Sequence, residues 1–194
     1  ALAKRRVEPA PAGKRDAILR AAIDVFAERG YFNAQVADVA RAAGVAAGTV
    51  YLYFHSKDDL LASIFEKTMR DAFDEWKTTL AAVHDPGERL RRFASLHLGR
   101  LGRDRKLAVV FQVELRQSIK FMERLSSTLL RDYLGQIRET IVDGQSKGVF
   151  RSDINPTLAA KVFFGALDEM ATNWILSRRK YALEADAERV VDLF

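Results

Sequence analysis

The chain has 194 residues, 48% hydrophobic and 29% charged, a balance typical of a globular protein with one large or two small domains. It contains no cysteine, which excludes disulfides and thiolate metal sites, and no apolar run of about 18 residues, which excludes a membrane-spanning helix. Its first residues lack the apolar stretch of a secretory signal, so we expect a cytoplasmic protein, bound to the nucleoid if it binds DNA. The formal net charge is +5, and part of it lies at the front.

The first segment, 1–12, is expected to be a flexible basic arm. Lys4, Arg5 and Arg6 precede Pro9 and Pro11, and these prolines should keep the segment out of a helix. Loose attraction to phosphates follows from its charge. A solvated tail explains the segment more simply than insertion into a minor groove.

The next segment predicts a helix over 13–29. Its apolar residues recur at helical spacing, namely Ile18, Ala22, Val25 and Phe26. Gly30 should end this helix.

Residues 36–57 read VADVARAAGVAAGTVYLYFHSK, which predicts a short helix, a turn and a second short helix. Gly44 stands at the turn, where a left-handed backbone is accessible without a Cβ. Val50 and Phe54 are one helical turn apart and should point into a small core. Their neighbours are then left to face a partner. This division predicts a helix-turn-helix whose second helix enters a DNA major groove.

The run AGVAAGTVYLYFHSKDDLL resembles the motif of the TetR family of transcriptional regulators, and the resemblance covers residues 14–61. It implies two sets of DNA contacts. The residues expected to approach phosphates are Gln35, Val36, Tyr53 and Lys57. The residues expected to face base edges or the sugar-phosphate wall are Ala47, Gly48, Thr49 and Tyr51. His55 lies in the same head and completes the predicted DNA-binding set.

Two positions depart from the family motif. The family usually has Thr or Ser where Gln35 stands, and Ser where Ala46 stands. Both helices therefore lack their usual N-caps, which costs each of them about 1 kcal/mol. Ser56, followed by Asp58 and Asp59, is predicted to cap the next helix.

Further helices are predicted over 56–82, 87–102, 105–117, 121–147, 156–178 and 184–194. The breaks between them fall at Asp85-Pro86-Gly87, Gly102, Gly148 and Asn155-Pro156, and only 148–156 has any strand character. The predicted fold is all-α. It has a three-helix helix-turn-helix head over 13–57 and an antiparallel helical bundle over 58–194 for ligand binding and dimerisation.

The helix predicted over 156–178 carries a broad apolar side. Its members are Ala159, Val162, Phe163, Ala166, Leu167, Met170 and Trp174, with Gly165 as a point of close approach. In a monomer these residues would simply form the core. The family resemblance implies instead a four-helix interface between two copies, which also includes Val190, Val191 and Phe194. A dimer is needed in any case if two recognition helices are to reach half-sites about 34 Å apart.

Two later stretches carry a narrower resemblance. LAVVFQVELRQS at 107–118 and FFGALDEMATNWILSRRKYAL at 163–183 resemble TetR-type regulators of fatty-acid degradation, which bind long-chain acyl-CoA thioesters. Such a ligand needs an apolar tunnel with a cationic mouth. The predicted ligand-binding residues are Arg89, Arg92, Phe93, Leu96, Arg100, Arg105, Phe111, Leu115, Arg116, Leu129, Phe163, Leu167 and Trp174.

Only two or three of these arginines are expected to meet a head group, and the others should form a solvated helix face. Arg116 has two open interpretations. It either joins the head-group site or forms a structural ion pair with Glu114 or Asp168.

These features predict a repressor that binds a palindromic operator as a dimer, controls fatty-acid degradation genes and is released by long-chain acyl-CoA. The alternative is a TetR-type repressor of drug efflux that responds to another hydrophobic ligand. An enzyme is not expected, because His55, His84 and His97 lack metal-ligand spacing and no nucleophile or phosphate-loop motif occurs. No catalytic residue, metal or cofactor is predicted apart from the effector.

Overall fold

The computed structural model describes residues 12–117 and 128–193, and these residues form helices and turns without any strand. This confirms the predicted all-α fold. The chain divides into two compact units, Ala1–Ile64 and Phe65–Phe194. Residues 1–11 of the predicted basic arm lie outside the described residues.

Within the described residues, the first unit contains the three helices predicted for the helix-turn-helix head and the start of a fourth, longer helix. They are α1 (Ala12–Arg29), α2 (Val36–Ala42), α3 (Ala47–Tyr51) and α4 (Lys57–Leu80). Gly30 and Gly44 adopt φ values of 77° and 67°, so both predicted turns use the left-handed backbone that favours glycine. The predicted core is confirmed, since Ile18, Phe26, Val39, Val50 and Phe54 are all buried.

Within the described residues, the second unit contains the rest of α4 and four further helices. They are α5 (Pro86–Arg103), α6 (Arg105–Val109), α7 (Leu129–Ser146) and α8 (Pro156–Leu176). Beyond α6 the chain winds on through a π turn at Val110–Glu114 and a 3-10 turn at Leu115–Gln117. The predicted continuous helix over 105–117 therefore changes its winding halfway. None of the helices in the described ranges combines the length and apolarity needed to cross a lipid bilayer.

The predicted helix over 184–194 is wrong. Two 3-10 turns, Leu183–Asp186 and Val191–Leu193, stand in its place. The segment packs closely on α5 at Gly102, where a Cβ would lie 3.3 Å from the Leu183 Cβ. Tertiary packing thus overrides the helical spacing of the apolar residues. No strand forms over 148–156 either, and Gly148 makes a turn with φ 69°.

The helix starts follow local hydrogen bonds. The Ser56 Oγ accepts from the Asp59 N–H at 3.0 Å, and the Asn155 side chain accepts from two backbone N–H groups, which confirms both predicted caps. The Asp38 carboxylate accepts from the Gln35 N–H at 3.1 Å, so α2 has a partial replacement for the missing cap. Ala46 offers α3 no side-chain cap.

The apolar side of α8 is divided between the core and the surface. Ala159, Phe163, Leu167 and Trp174 are buried within the chain itself. Val190 and Val191 are likewise buried, so they cannot pair with a second copy as predicted. Phe194 lies outside the described residues. The surface of α8 that stays open carries Leu158, Val162 and Gly165, which lie at helical spacing.

Candidate DNA-binding and ligand-binding sites

The short helix α3 presents the surface expected of a recognition helix. Ala47, Gly48 and Tyr51 are exposed and Thr49 is partly exposed, while Val50 is completely buried between them. A Cβ at Gly48 would meet no atom within 4 Å, so packing does not require glycine there. This open space is compatible with the predicted approach of DNA to the backbone at Gly48.

The beginning of α2 carries a charged cluster that the sequence did not reveal. The Asp38 carboxylate accepts from Arg29 at 3.0 Å and from Arg41 at 3.1 Å, besides the Gln35 N–H. These partners, the Gln35 N–H above all, lower the pKa of Asp38 below its usual range. The aspartate thus positions two exposed guanidinium groups next to the predicted phosphate contacts at Gln35 and Val36. Asp38 stands three residues after Gln35, which is the spacing of a capping box, and this spacing is the feature of the sequence that indicates the contact.

Lys57 occupies a different environment from the one predicted. Its ammonium donates to the carbonyl oxygens of Tyr31, Phe32 and Ala34 at 2.8, 3.3 and 3.0 Å. The same nitrogen lies 4.4 Å from the centre of the Tyr31 ring. Because an ammonium has three protons, these carbonyls occupy it fully. This geometry favours a structural role in holding the loop between α1 and α2 over the predicted phosphate contact.

Tyr31 fixes the same loop from the other side. Its hydroxyl donates to Asp58, and burial together with this hydrogen bond raises the pKa of Tyr31 well above its usual range. Of the remaining predicted DNA-binding residues, Tyr53 is half-buried and His55 is exposed.

Thr49 and Tyr53 allow base contacts to be separated from backbone contacts. We expect Thr49→Ala to change the preferred operator sequence, because a threonine offers a hydroxyl and a methyl group to base edges. Tyr53→Phe should weaken binding to all duplexes by a similar factor, about three- to tenfold, since a phosphate contact carries no sequence information. Selection of duplexes from a random library by each variant distinguishes the two. Equal effects of both variants on sequence preference would contradict these roles.

We name two of the cavities in the described part of the second unit after one polar residue in each wall. The histidine cavity measures 250 Å³, and its wall is formed by Phe65, Met69, His97, Leu101, Phe111, Gln112, Leu115, Arg116, Leu130, Tyr133, Phe164 and Asp168. The arginine cavity measures 560 Å³, and its wall is formed by Phe73, Asp74, Trp76, Lys77, Leu80, Ala81, Val83, His84, Arg89, Phe93, Gln136 and Thr140.

The two cavities lie end to end along α4, α5 and α7, because each helix contributes to both walls at successive turns. On α5, Arg89 and His97 are eight residues apart, a rise of roughly 12 Å. Between the cavities lies an aromatic partition, which consists of Trp76, Phe93 and Tyr133. The centre of the Trp76 ring is 4.5 Å from each of the other two ring centres, which are 4.9 Å apart.

His97 and Tyr133 form a polar pair in the wall of the mainly apolar histidine cavity. The Tyr133 hydroxyl is 2.6 Å from the His97 Nδ1. The His97 Nε2 is buried, and no group in the described ranges hydrogen-bonds to it. Burial lowers the pKa of His97 to about 4, with Asp168 opposing the shift and Arg100 adding to it. The ring is therefore neutral at pH 7.

Arg89 is the polar residue of the arginine cavity that corresponds to His97 in the histidine cavity. Its Nε is buried, and no acceptor for it exists among the described residues. Lys77 and His84 lie in the same wall, where Asp74 is the acidic member. The Arg89 Nε is therefore an unpaired donor on a guanidinium group, which usually binds a carboxylate or phosphate.

The other predicted arginines are already paired within the protein. Arg116 donates to Asp168, which agrees with the second of its two interpretations, a structural ion pair. Arg100 donates to Glu75, and Arg92 to Glu88 at 2.8 Å. Arg105 donates to the Trp174 and Ile175 carbonyls at the end of α8 and lies 4.9 Å from the Trp174 ring centre.

The predicted apolar ligand contacts divide into three groups. Phe111 and Leu115 line the histidine cavity, and Phe93 lines the arginine cavity. Phe163, Leu167 and Trp174 are buried core residues outside both walls. Leu96 and Leu129 are partly exposed and also outside both walls. His97, Tyr133, Phe65 and Met69 were missed as site residues, although the spacing of Phe65 and Met69 on one face of a helix was visible.

Two protein-family models together match most of the chain. Residues 18–64 match the model of bacterial regulatory proteins of the tetR family, and residues 65–194 match that of the C-terminal region of YsiA-like proteins. The fatty acid metabolism regulator protein of Bacillus subtilis (strain 168) is 35% identical over 176 residues, 91% of each chain.

Two solved structures resemble the whole chain. The fatty acid degradation regulator FadR from Bacillus halodurans is 39% identical with a TM-score of 0.88, and the match covers 96% of both chains. FadR from Bacillus subtilis, crystallised in complex with stearoyl-CoA, is 34% identical with a TM-score of 0.87. That match covers 92% of this chain and 96% of FadR.

Proposed function

Because the chain belongs to the TetR family of bacterial regulatory proteins, we propose that it is a repressor of fatty-acid degradation genes that leaves its operator when long-chain acyl-CoA binds. The B. subtilis relative that binds stearoyl-CoA supports this choice of effector. The chain then acts as a binding protein in the cytoplasm and does not turn its effector over.

The observation that carries the proposal is the pairing of the two cavities. One is mainly apolar, and the other has a buried guanidinium nitrogen, the Arg89 Nε, that has no acceptor among the described residues. An acyl-CoA has the complementary chemistry, with an alkyl chain at one end and phosphates at the other. Arg89, assisted by Lys77, is the group that we assign to the phosphates. A cationic drug fits less well, since Asp168 is paired with Arg116.

Ligand entry requires the aromatic partition to open. The histidine cavity alone is below the roughly 300–1,000 Å³ of sites for drug-sized ligands, so a long acyl-CoA must use both cavities. We propose that parting Trp76, Phe93 and Tyr133 changes the course of α4, which carries residues of both units. The ligand can favour the state released from DNA only to the extent that it binds that state more tightly than the DNA-bound state.

We further propose that the repressor is a dimer that pairs through α7 and α8. Leu158 and Val162 are 57% and 53% exposed, although both are large and apolar. Near them, α7 and α8 border an open groove of 760 Å³. A second copy would cover this surface, and twofold symmetry would match a palindromic operator.

The release of DNA by acyl-CoA tests the proposed function directly. A duplex selected by the protein from a random library serves as operator, and fluorescence anisotropy measures the Kd at fixed salt. Stearoyl-CoA should weaken DNA binding on the order of tenfold. Free CoA should have little effect, because the coupling between effector binding and DNA release depends on the alkyl chain. The stearoyl-CoA should be recovered intact afterwards.

Two other results would contradict the proposal. If stearoyl-CoA leaves DNA binding unchanged while a lipophilic cation such as tetraphenylphosphonium releases the duplex, the protein is a repressor of the drug-efflux type. If the protein selects no duplex at low ionic strength, it is not a DNA-binding repressor.

A further inference from the structure

The hydrogen bond between His97 and Tyr133 determines which ring nitrogen carries the proton. If Nδ1 donated to the tyrosine oxygen, the Tyr133 proton would lack an acceptor and Nε2 would lack a donor. If the Tyr133 hydroxyl donates to Nδ1, only Nε2–H is left without a partner. Each unsatisfied buried group costs about 1–3 kcal/mol, so the second arrangement is favoured. The neutral ring therefore carries its proton on Nε2.

This Nε2–H is a buried hydrogen-bond donor, and its residue lines a cavity that otherwise suits an alkyl chain. A purely hydrocarbon ligand would leave it unsatisfied. A ligand with an acceptor next to its chain would satisfy it. In an acyl-CoA, the acceptor attached directly to the alkyl chain is the thioester carbonyl oxygen.

We propose that the Nε2–H of His97 donates a hydrogen bond to the thioester carbonyl oxygen of bound acyl-CoA, an inference that rests on the proposed function. The alkyl chain then lies against Phe111 and Leu115 in the histidine cavity. The arm of CoA passes the aromatic partition, and the phosphates reach Arg89 about two helical turns away on α5. His97 thus distinguishes a thioester from a lipid of the same length without a carbonyl.

Two other donors border the same cavity and must be separated from His97. The Gln112 side chain accepts from the Thr172 hydroxyl at 3.2 Å, which leaves its amide protons as rival donors to a carbonyl. Arg116 is a weaker rival, because its guanidinium is paired with Asp168. Gln112→Met removes the amide at nearly constant side-chain length and therefore serves as the matched control.

The experiment compares two ligands that differ only in the carbonyl group. Stearoyl-CoA is the thioester, and S-octadecyl-CoA is the thioether of the same chain length. Calorimetric titration of the protein without DNA should show about tenfold tighter binding of the thioester, as expected for one buried hydrogen bond. The double variant His97→Phe/Tyr133→Phe should bind both ligands equally. Removing both polar partners together avoids leaving the tyrosine hydroxyl without an acceptor.

A spectroscopic measurement tests the same hydrogen bond through the carbonyl group of the ligand. Isotope-edited infrared spectra of stearoyl-CoA labelled with 13C at the carbonyl should show the stretching band at lower frequency in the complex than for the same thioester in an apolar solvent. The shift should persist in Gln112→Met. It should disappear in the double variant.

Equal affinity of the unaltered protein for thioester and thioether would overturn the role of His97 and leave the proposed function intact. Loss of the discrimination in Gln112→Met, with its retention in the double variant, would transfer the role to Gln112. Failure of the unaltered protein to bind either CoA derivative would overturn the proposed function, and this inference with it.

Discussion

A Val162→Glu variant is expected to be monomeric and to bind the operator duplex at least a hundredfold more weakly than the unaltered protein. Val162 stands in the middle of the exposed apolar surface of α8, four residues from Leu158. At a twofold interface a new carboxylate is buried close to its own symmetry mate, so desolvation and like-charge repulsion act together. Each head then binds its half-site alone and loses the effective concentration that a linked pair provides, a factor of about 10²–10⁴.

Analytical ultracentrifugation gives the mass of the variant, and fluorescence anisotropy gives its Kd. Val149→Glu is the matched control, because Val149 is also exposed but lies in the turn between α7 and α8. The control should remain dimeric and bind DNA normally. A Val162→Glu protein that stays dimeric would show that the interface lies elsewhere.

Replacement of Lys57 by methionine is expected to weaken operator binding by about thirty- to a hundredfold without changing its salt dependence. The ammonium holds the carbonyl oxygens of Tyr31, Phe32 and Ala34, and charged hydrogen bonds of this kind contribute about 1.5–3 kcal/mol. Without them, the loop before α2 is released and the predicted phosphate contacts at Gln35 lose their positions. The variant should show faster amide hydrogen exchange in residues 30–35.

The salt dependence of the Kd decides between a structural and a DNA-contacting Lys57. A lysine that binds a phosphate contributes about 0.9 to the slope of log K against log salt. If Lys57→Met lowers the slope by this amount and leaves hydrogen exchange unchanged, the lysine contacts DNA as its sequence motif suggests. Lys14→Met, a change at an exposed lysine of α1, controls for loss of charge alone.

Features fixed by neighbouring residues were predictable from the sequence. The caps at Ser56 and Asn155 and the turns at Gly30 and Gly44 depend on hydrogen bonds or backbone angles within a few residues. The same locality explains why the helix-turn-helix could be predicted in detail. The small core of the helix-turn-helix requires only that apolar residues recur at helical spacing over about forty residues.

Features fixed by distant partners were not predictable. Arg116 and Asp168 are 52 residues apart, so the sequence left two interpretations of Arg116 open. His97 was considered only as a metal ligand, because its partner Tyr133 lies on another helix. On α8, Val162 and Phe163 are adjacent and both apolar, and only packing shows that Phe163 faces the core and Val162 the surface.

The π turn at Val110–Glu114 forms part of the wall of the histidine cavity, so the length of the chain in this stretch affects the shape of that wall. A π turn holds about one residue more than an α-helical turn, so a deletion of one residue there would restore ordinary α-helical winding and leave the residues that follow facing nearly the same way. Leu115 would keep its place in the lining of the histidine cavity and Arg116 its ion pair with Asp168, whereas Phe111 and Gln112, which belong to the turn, would move within that lining. We therefore expect a relative that is one residue shorter in this stretch to differ in the part of the cavity wall that the turn forms, and so in the shape of the ligand that it binds.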